Sequence, residues 1–283
     1  MPRVAVVGSY GVGLTFGSAR APERGETVIG TLFRTDDGGK GSNQAVGAAR
    51  LGAEVSLLTA VGEDAFGDRA HELWEREGVD ASAVLRSAEP TMTAAILVEE
   101  SGDNRIVIVP GALATLMPAD VDGFAPQIEA ADVLLVQLEI PVDTALHALA
   151  IGRSAGVRTV LNPAPAPTEP ISPAADYVVP NETEARAIRG SAATLVVTLG
   201  DQGARIGDDV VPAFPARAVD TTGAGDAFCS AFAVALAEGA SDLEAVRWGC
   251  AAGAYMVEHP GVIPGLPGRA ELEERLTVGA EAL

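Results

Sequence analysis

Short apolar runs and helix-length segments alternate along most of this 283-residue chain, and that alternation restricts its fold more than any other feature. Residues 3–8 form an apolar run ending in glycine, which reads as a buried strand feeding a loop at its carboxyl end. Residues 26–35 read as a strand, 40–52 as a helix, 55–61 as a strand and 64–77 as an amphipathic helix. Segments 92–98 and 104–109 flank the turn Ser101-Gly-Asp-Asn104 and read as a hairpin that interrupts the rhythm, an added sheet or lid. The rhythm resumes with strands at 132–138, 157–161, 176–179 and 194–199, helices at 142–155 and 182–189, and a small β region to about 213. Helices at 224–238 and 241–258 follow. The Pro- and Ala-rich segment 162–173 reads as a rigid loop, because strands continue on either side of it. Such a pattern requires a mostly parallel central sheet covered by helices on both faces. The expectation is one α/β domain over 1–283, with a small β lid from about 9–36 and 91–109.

Open sheets of this kind bind ligands at the carboxyl ends of their strands, and two glycine-rich turns fall where such ends meet helices. One is Asp220-Thr-Thr-Gly-Ala-Gly-Asp-Ala-Phe228, in which Gly223 and Gly225 free the backbone to bring N–H groups to an anion at the start of an apolar helix. Asp226 lies in the first turn, where a carboxylate suits the helix dipole but repels a bound phosphate, so its placement needs a chemical reason. The other turn, Gly38-Gly-Lys-Gly-Ser-Asn-Gln44, holds Lys40, the one lysine among 19 basic residues. A compact ammonium with three donors fits where a planar guanidinium does not.

Several chemistries fall away. Lys40 is followed by Gly41, so there is no P-loop, and Phe16 stands where a dinucleotide fingerprint needs its last glycine. No Gly-x-Ser-x-Gly elbow occurs, and His71, His147 and His259 lack zinc-site spacing. A formal charge of −20 disfavours nucleic acid and anionic membranes as partners. Two cysteines, Cys229 and Cys250, form no disulfide framework, and the start of the chain lacks the apolar core of a signal peptide, so a reducing cytoplasm is the expected location. What remains matches phosphoryl transfer, which needs an in-line hydroxyl and positive dipoles or cations over the transferring group. Asp226 can orient the hydroxyl and take its proton late, and the amides of 223–225 can stabilise the developing charge.

The chain resembles the ribokinase-like, or PfkB-type, carbohydrate kinase family, and within it the ribokinases. The resemblance rests on Gly38-Gly-Lys-Gly-Ser-Asn-Gln-Ala-Val46, Arg50-Leu-Gly-Ala53, Val61-Gly-Glu-Asp-Ala-Phe-Gly67 and Asp220-Thr-Thr-Gly-Ala-Gly-Asp226. Between them stand Leu138-Glu-Ile-Pro141, Leu161-Asn-Pro-Ala-Pro165, Pro180-Asn-Glu-Thr-Glu184 and Val197-Thr-Leu-Gly200. The resemblance implies an ATP-dependent kinase that uses Mg²⁺ and acts on a hydroxyl of a small sugar or sugar-like acceptor. By position it makes Asp226 the catalytic base, with Gly223, Ala224 and Gly225 as its anion hole. It gives Gly39, Lys40 and Asn43 to the acceptor, and Glu139 to another of its hydroxyls. Asn181 and Glu184 become the pair that organises Mg²⁺ and the phosphates, Glu184 through water, and Thr198 and Gly200 line the ATP site. Asp220, with Thr222, Met256, His259 and Gly261, corresponds to a monovalent-cation (K⁺) site, although Gly265 stands where a serine ligand is expected. Ribokinase lids pair with one another, which implies a homodimer.

The pattern breaks after the first strand, where ribokinases carry an Asn-x-Asp element that grips the sugar and this chain reads Gly8-Ser-Tyr-Gly-Val-Gly13. Gly11 and Gly13 at those substrate-binding positions put ribose itself in doubt, since hydroxyls are discriminated mainly through such bonds. Tyr10 or Arg20 are candidates for replacement contacts, and Tyr10 is equally a candidate for packing. The region 188–195 is abbreviated, as if a crossover helix were missing. Three readings stay open: a sugar kinase, a nucleoside kinase with a base in the space at Gly11 and Gly13, and a non-catalytic ligand-binding relative.

Overall fold

A computed structural model of the chain describes residues 1–189 and 194–280. In chain order its strands are β1 (Arg3–Val7), β2 (Gly11–Ser18), β3 (Leu32–Gly38), β4 (Glu54–Leu58), β5 (Ala60–Gly62), β6 (Val79–Asp80), β7 (Leu85–Ser87) and β8 (Thr93–Glu99). They continue with β9 (Asn104–Val109), β10 (Val133–Gln137), β11 (Arg158–Asn162), β12 (Tyr177–Val178), β13 (Thr194–Thr198), β14 (Ala204–Ile206) and β15 (Asp209–Val211). The helices are α1 (Lys40–Arg50), α2 (Ala65–Glu77), α3 (Pro118–Ala130), α4 (Val142–Ser154), α5 (Ala224–Ala237), α6 (Asp242–Met256), α7 (Val262–Gly265) and α8 (Arg269–Ala280).

The main sheet runs β15-β14-β13-β12-β11-β10-β1-β4-β6. Its pairs are parallel from β6 to β13, and the β13-β14-β15 edge is antiparallel. Side chains of a strand alternate between faces, and β1 serves two cores in this way. Val4 and Val6 join Val46, Phe232 and Ala251 on one side, while Ala5 and Val7 join Phe124, Ala148 and Leu149 on the other. Helices α1, α5 and α6 thus cover one face, and α3 and α4 the other. Burial of α5 is continuous from Asp226 to Leu236, which explains why its sequence is apolar all round.

A second sheet, β3-β2-β8-β9, forms the lid. The 92–109 hairpin is present as read, whereas the strand expected at 26–35 begins only at Leu32, where pairing with Gly17 starts. The run read as one strand over 55–61 is divided at Thr59: β4 stays in the main sheet and β5 pairs with β7. The helix read at 182–189 is only a 3₁₀ turn, Glu184–Ala187. The abbreviation read at 188–195 falls partly on 190–193, outside the described residues. Helices α3 and α8 were not expected. Two prolines punctuate α3 in sequence, but Pro118 stands at its start, where a missing N–H costs nothing.

Candidate active site

Asp226 stands in the first turn of α5 at 5% exposure. Its Oδ2 accepts from Asn43 Nδ2 at 2.8 Å and its Oδ1 from Gln44 Nε2 at 2.9 Å. Because an ionised carboxylate only accepts, Gln44 must turn its amide nitrogen inward, leaving its Oε1 to accept from Gln137 Nε2 at 2.6 Å. Gln44 Nε2 also meets Asn162 Oδ1 at 3.2 Å, and Asn162 Nδ2 donates to the Val179 carbonyl at 2.9 Å. The Asp226 carboxylate is therefore oriented by a network of amides from α1, β10 and β11. Gln137 and Asn162 were not singled out from sequence as site residues, though each is a polar residue closing an apolar strand.

The Lys40 turn is built by close backbone approach. A Cβ on Gly41 would collide with Gly8 and Ser9, and Gly39 holds φ 87° against Tyr10. Glu139 follows β10 and ties this turn down. Its Oε2 accepts from the Lys40 backbone N–H at 2.8 Å and from the Ser9 hydroxyl. Glu139 thus has a structural duty beside the acceptor contact expected of it, with Oε1 left for a ligand. Burial works against charge on Lys40, but Asp226, Glu139 and Glu184 outweigh it and hold the ammonium above its ordinary range. One cation thereby faces three carboxylates.

Glu184 and Asn181 cap each other after β12. Glu184 Oε2 accepts from the Asn181 N–H at 2.9 Å, and Asn181 Oδ1 accepts from the N–H groups of Thr183 and Glu184, both at 2.9 Å. Burial raises the Glu184 carboxyl above its usual range; Asp226 adds to this, while Lys40 and the Asn181 N–H oppose it. A half-buried acid in that condition favours a nearby cation, which fits a metal-organising role.

Gly223 caps α5 at φ 83°, where a Cβ would press on Val262 at 2.7 Å. No protein group accepts from the N–H of Gly225 or Asp226 among the described residues, and open space surrounds Gly225. Beside this helix start opens a cleft of about 600 Å³ lined by Thr198, Gly200, Phe214, Gly225, Phe228 and Cys250 among others. Burial pushes the Cys250 thiol up to about 12, so the cleft wall there is a neutral thiol. A hollow of about 640 Å³ with Asp122 and His147 lies against α3 and α4, on the other face of the sheet.

Asp220 bridges two loops, accepting from Thr222 N at 2.9 Å and Gly261 N at 3.2 Å. Burial would raise its carboxyl, but the hydrogen bonds from Thr222 and Gly261, with the field of Arg34, hold it below its ordinary range. His259 turns Nδ1 to the Tyr255 carbonyl at 2.9 Å and stacks on that ring.

Gly11 and Gly13 lie on β2 of the lid. A Cβ at Gly11 would collide with Met92, whereas the nearest atom to one at Gly13 is Ile96 Cδ1 at 3.5 Å. Both side chains considered as replacements are engaged within the protein. Tyr10 is fully buried, packs edge-on against Trp74 and donates to Asp37 Oδ1 at 2.8 Å. Arg20 pairs with Glu26 at the surface.

Residues 1–269 match the family model described as pfkB family carbohydrate kinase. A ribokinase of Bacillus subtilis is 39% identical, over 98% of this chain and 100% of its own length. A deoxyribokinase of Salmonella typhi is 37% identical, over 81% of this chain and 84% of its own. The structure of Arabidopsis thaliana ribokinase complexed with ribose and ATP superposes with a TM-score of 0.88 at 30% identity, covering 97% of this chain and 98% of that one.

Proposed function

The chain belongs to the pfkB family of carbohydrate kinases, and from that membership we propose that Asp226 is the base through which it phosphorylates its acceptor. The enzyme transfers a phosphoryl group from ATP to a hydroxyl of a sugar or sugar-like small molecule. The observation that carries the assignment is the buried Asp226 carboxylate, held by Asn43 and Gln44 beside the free N–H groups at the start of α5. Lys40, Asn43, Gly39 and Glu139 Oε1 position the acceptor so that its hydroxyl faces Asp226. As the acceptor oxygen bonds to the γ-phosphorus, the β–γ bridging bond breaks, the hydroxyl proton passes to Asp226, and ADP leaves. The N–H groups of Gly223 and Gly225 and the Lys40 ammonium take up the charge that spreads over the equatorial oxygens, while the Ala224 N–H expected beside them is turned to the Thr221 carbonyl at 3.4 Å. Thr198 and Gly200 border the nucleotide.

Mg²⁺, when bound, neutralises charge across the β- and γ-phosphates, with Asn181 and Glu184 as its protein anchors through water. The K⁺ site is assigned to Asp220 with the backbone of Thr222, Met256, His259 and Gly261. The protein is read as a single cytoplasmic ribokinase-like unit that pairs through its lid. Support for pairing is the exposure of Phe16, Phe33, Val107 and Val109, which the register sets on one face of the lid, since exposed apolar surface of this kind marks association sites. A molar mass of one chain in solution would refute it.

The reaction is tested by ADP release from Mg²⁺-ATP with a panel of pentoses, hexoses, polyols and nucleosides. Sugars are expected to stimulate release; stimulation by nucleosides alone would overturn the acceptor class. Glu184 offers a separate test. An acid raised by the fold stabilises it below the group's ordinary pKa and loses that contribution as pH rises through the folded value. Glu184→Gln therefore gives the metal-free enzyme a higher Tm than wild type at neutral pH, with the gap closing in acid. Mg²⁺-dependent turnover falls by about 10- to 100-fold. Equal melting curves at neutral pH would refute this account of Glu184.

A further inference from the structure

One face of the lid is bare of side chains at Gly11 and Gly13, and the register of its strands shows what stands opposite them. Successive residues of a strand point to opposite faces. In β3, Asp37 faces α2, where Arg69 donates to it through Nε at 2.8 Å and NH2 at 2.9 Å, and Tyr10 donates at 2.8 Å. Asp36 and Arg34 must then occupy the other face, and Arg34 is near enough to Asp220 for its charge to be felt there. That face looks toward the loops around the start of α5. Pairing sets Asp36 directly opposite Gly13 and Arg34 opposite Thr15, and sets Ala94 beside Gly13 on the other flank. Opposed Cβ atoms on paired strands lie about 5 Å apart. A carboxylate on Asp36 thus overhangs the bare position at 13.

We propose that Asp36, oriented by Arg34, is the hydroxyl-reading residue of the lid and a determinant of acceptor specificity. This rests on the sugar-kinase reading above and deepens it. Arg34 Nε holds Asp36 Oδ2 at 2.5 Å, while Oδ1 has no hydrogen-bond partner among the described residues and is left to accept from a ligand. Along the register, this face of the lid otherwise offers glycines at 11, 13 and 17, apolar Ala94, Ile96, Ile106 and Ile108, the buried Thr15 two residues along β2 and Asn104 at the far end of β9, and no second carboxylate. A sugar enclosed beneath it would otherwise leave a hydroxyl unpaired on that side, which costs binding free energy. Gly11 cannot resume the task, because Met92 fills its space, but Gly13 has room for a side chain.

The test compares wild type, Asp36→Ala and the double variant Asp36→Ala with Gly13→Asp, which moves the carboxylate back across the strand pair. Initial rates are measured with D-ribose, 2-deoxy-D-ribose and the best sugar or polyol of the panel above at saturating Mg²⁺-ATP, and the KM for ATP is measured in parallel. Asp36→Ala is expected to lower kcat/KM for the best acceptor by about 10- to 100-fold through KM, with the KM for ATP unchanged. The double variant is expected to recover most of the loss. An acceptor KM unchanged in Asp36→Ala overturns the proposal, and so does a double variant no better than the single one at wild-type Tm. A wild-type enzyme that turns over no sugar or polyol of the panel counts instead against the acceptor class on which the proposal rests.

Discussion

Asp226→Asn is expected to lower kcat by about 10³- to 10⁴-fold, the upper part of the range for loss of a general base, while ATP binding persists. The cleft proposed for the nucleotide is lined by Thr198, Gly200, Phe214 and Phe228 among others, and Asp226 is not among its lining residues. The variant also carries a structural consequence. Both Asp226 oxygens accept from amide nitrogens, so an amide at 226 sets its own NH₂ against a donor unless Gln44 or Asn43 turns over. A buried donor left without a partner costs about 1–3 kcal/mol. Kinetics should therefore be read beside a melting curve and a nucleotide-binding isotherm. A folded Asp226→Asn enzyme that binds ATP and retains near wild-type turnover would overturn the base assignment.

Gln44→Glu is the second large effect, and it preserves shape. It brings a carboxyl to within 2.9 Å of Asp226 Oδ1 in a buried setting. Two carboxylates so placed cannot both ionise at ordinary pH; they share a proton, and the second proton leaves only at a raised apparent pKa. Because the base must be ionised to accept the hydroxyl proton, activity at pH 7 should fall by about 100-fold and climb as pH rises. Stability runs the other way: the shared proton supports the fold below the ordinary carboxyl pKa, and that support is lost as pH rises through the raised value. Gln44→Leu provides the contrast, since it removes the donor without adding an acid. It should lower kcat and Tm with no displacement of the pH profile. A Gln44→Glu profile superimposable on wild type would show that Gln44 does not govern the base.

Much of the candidate site was legible because it is built from local rules. Lys40, Asn43, Gly223, Gly225 and Asp226 lie in two turns whose glycines and helix starts are written consecutively in the chain. The amides that hold the base were harder to see. Gln137 and Asn162 reach Gln44 only because β10 and β11 are parallel neighbours, with Gln137 paired to Asn162 in register. No short-range pattern encodes that meeting. The lid shows the same limit. Its hairpin could be read from one turn, but β2 and β3 are joined by a long irregular segment, and the side chain facing Gly13 is fixed by pairing across that gap. Tyr10 could be read either as a ligand contact or as packing, and burial against Trp74 decided for packing.

The contrast between α5 and the lid has an evolutionary consequence. The base rides on a helix buried from its first turn to its last, so most substitutions along it disturb packing, and the chemistry inherits the conservatism of the core. The lid strands β3 and β9 are largely exposed, where substitutions usually change stability little. A lineage can therefore drift in what it phosphorylates while remaining fixed in how it phosphorylates. The proposed recognition group, on β3 opposite bare glycines of β2, thus sits in the part of the molecule freest to change.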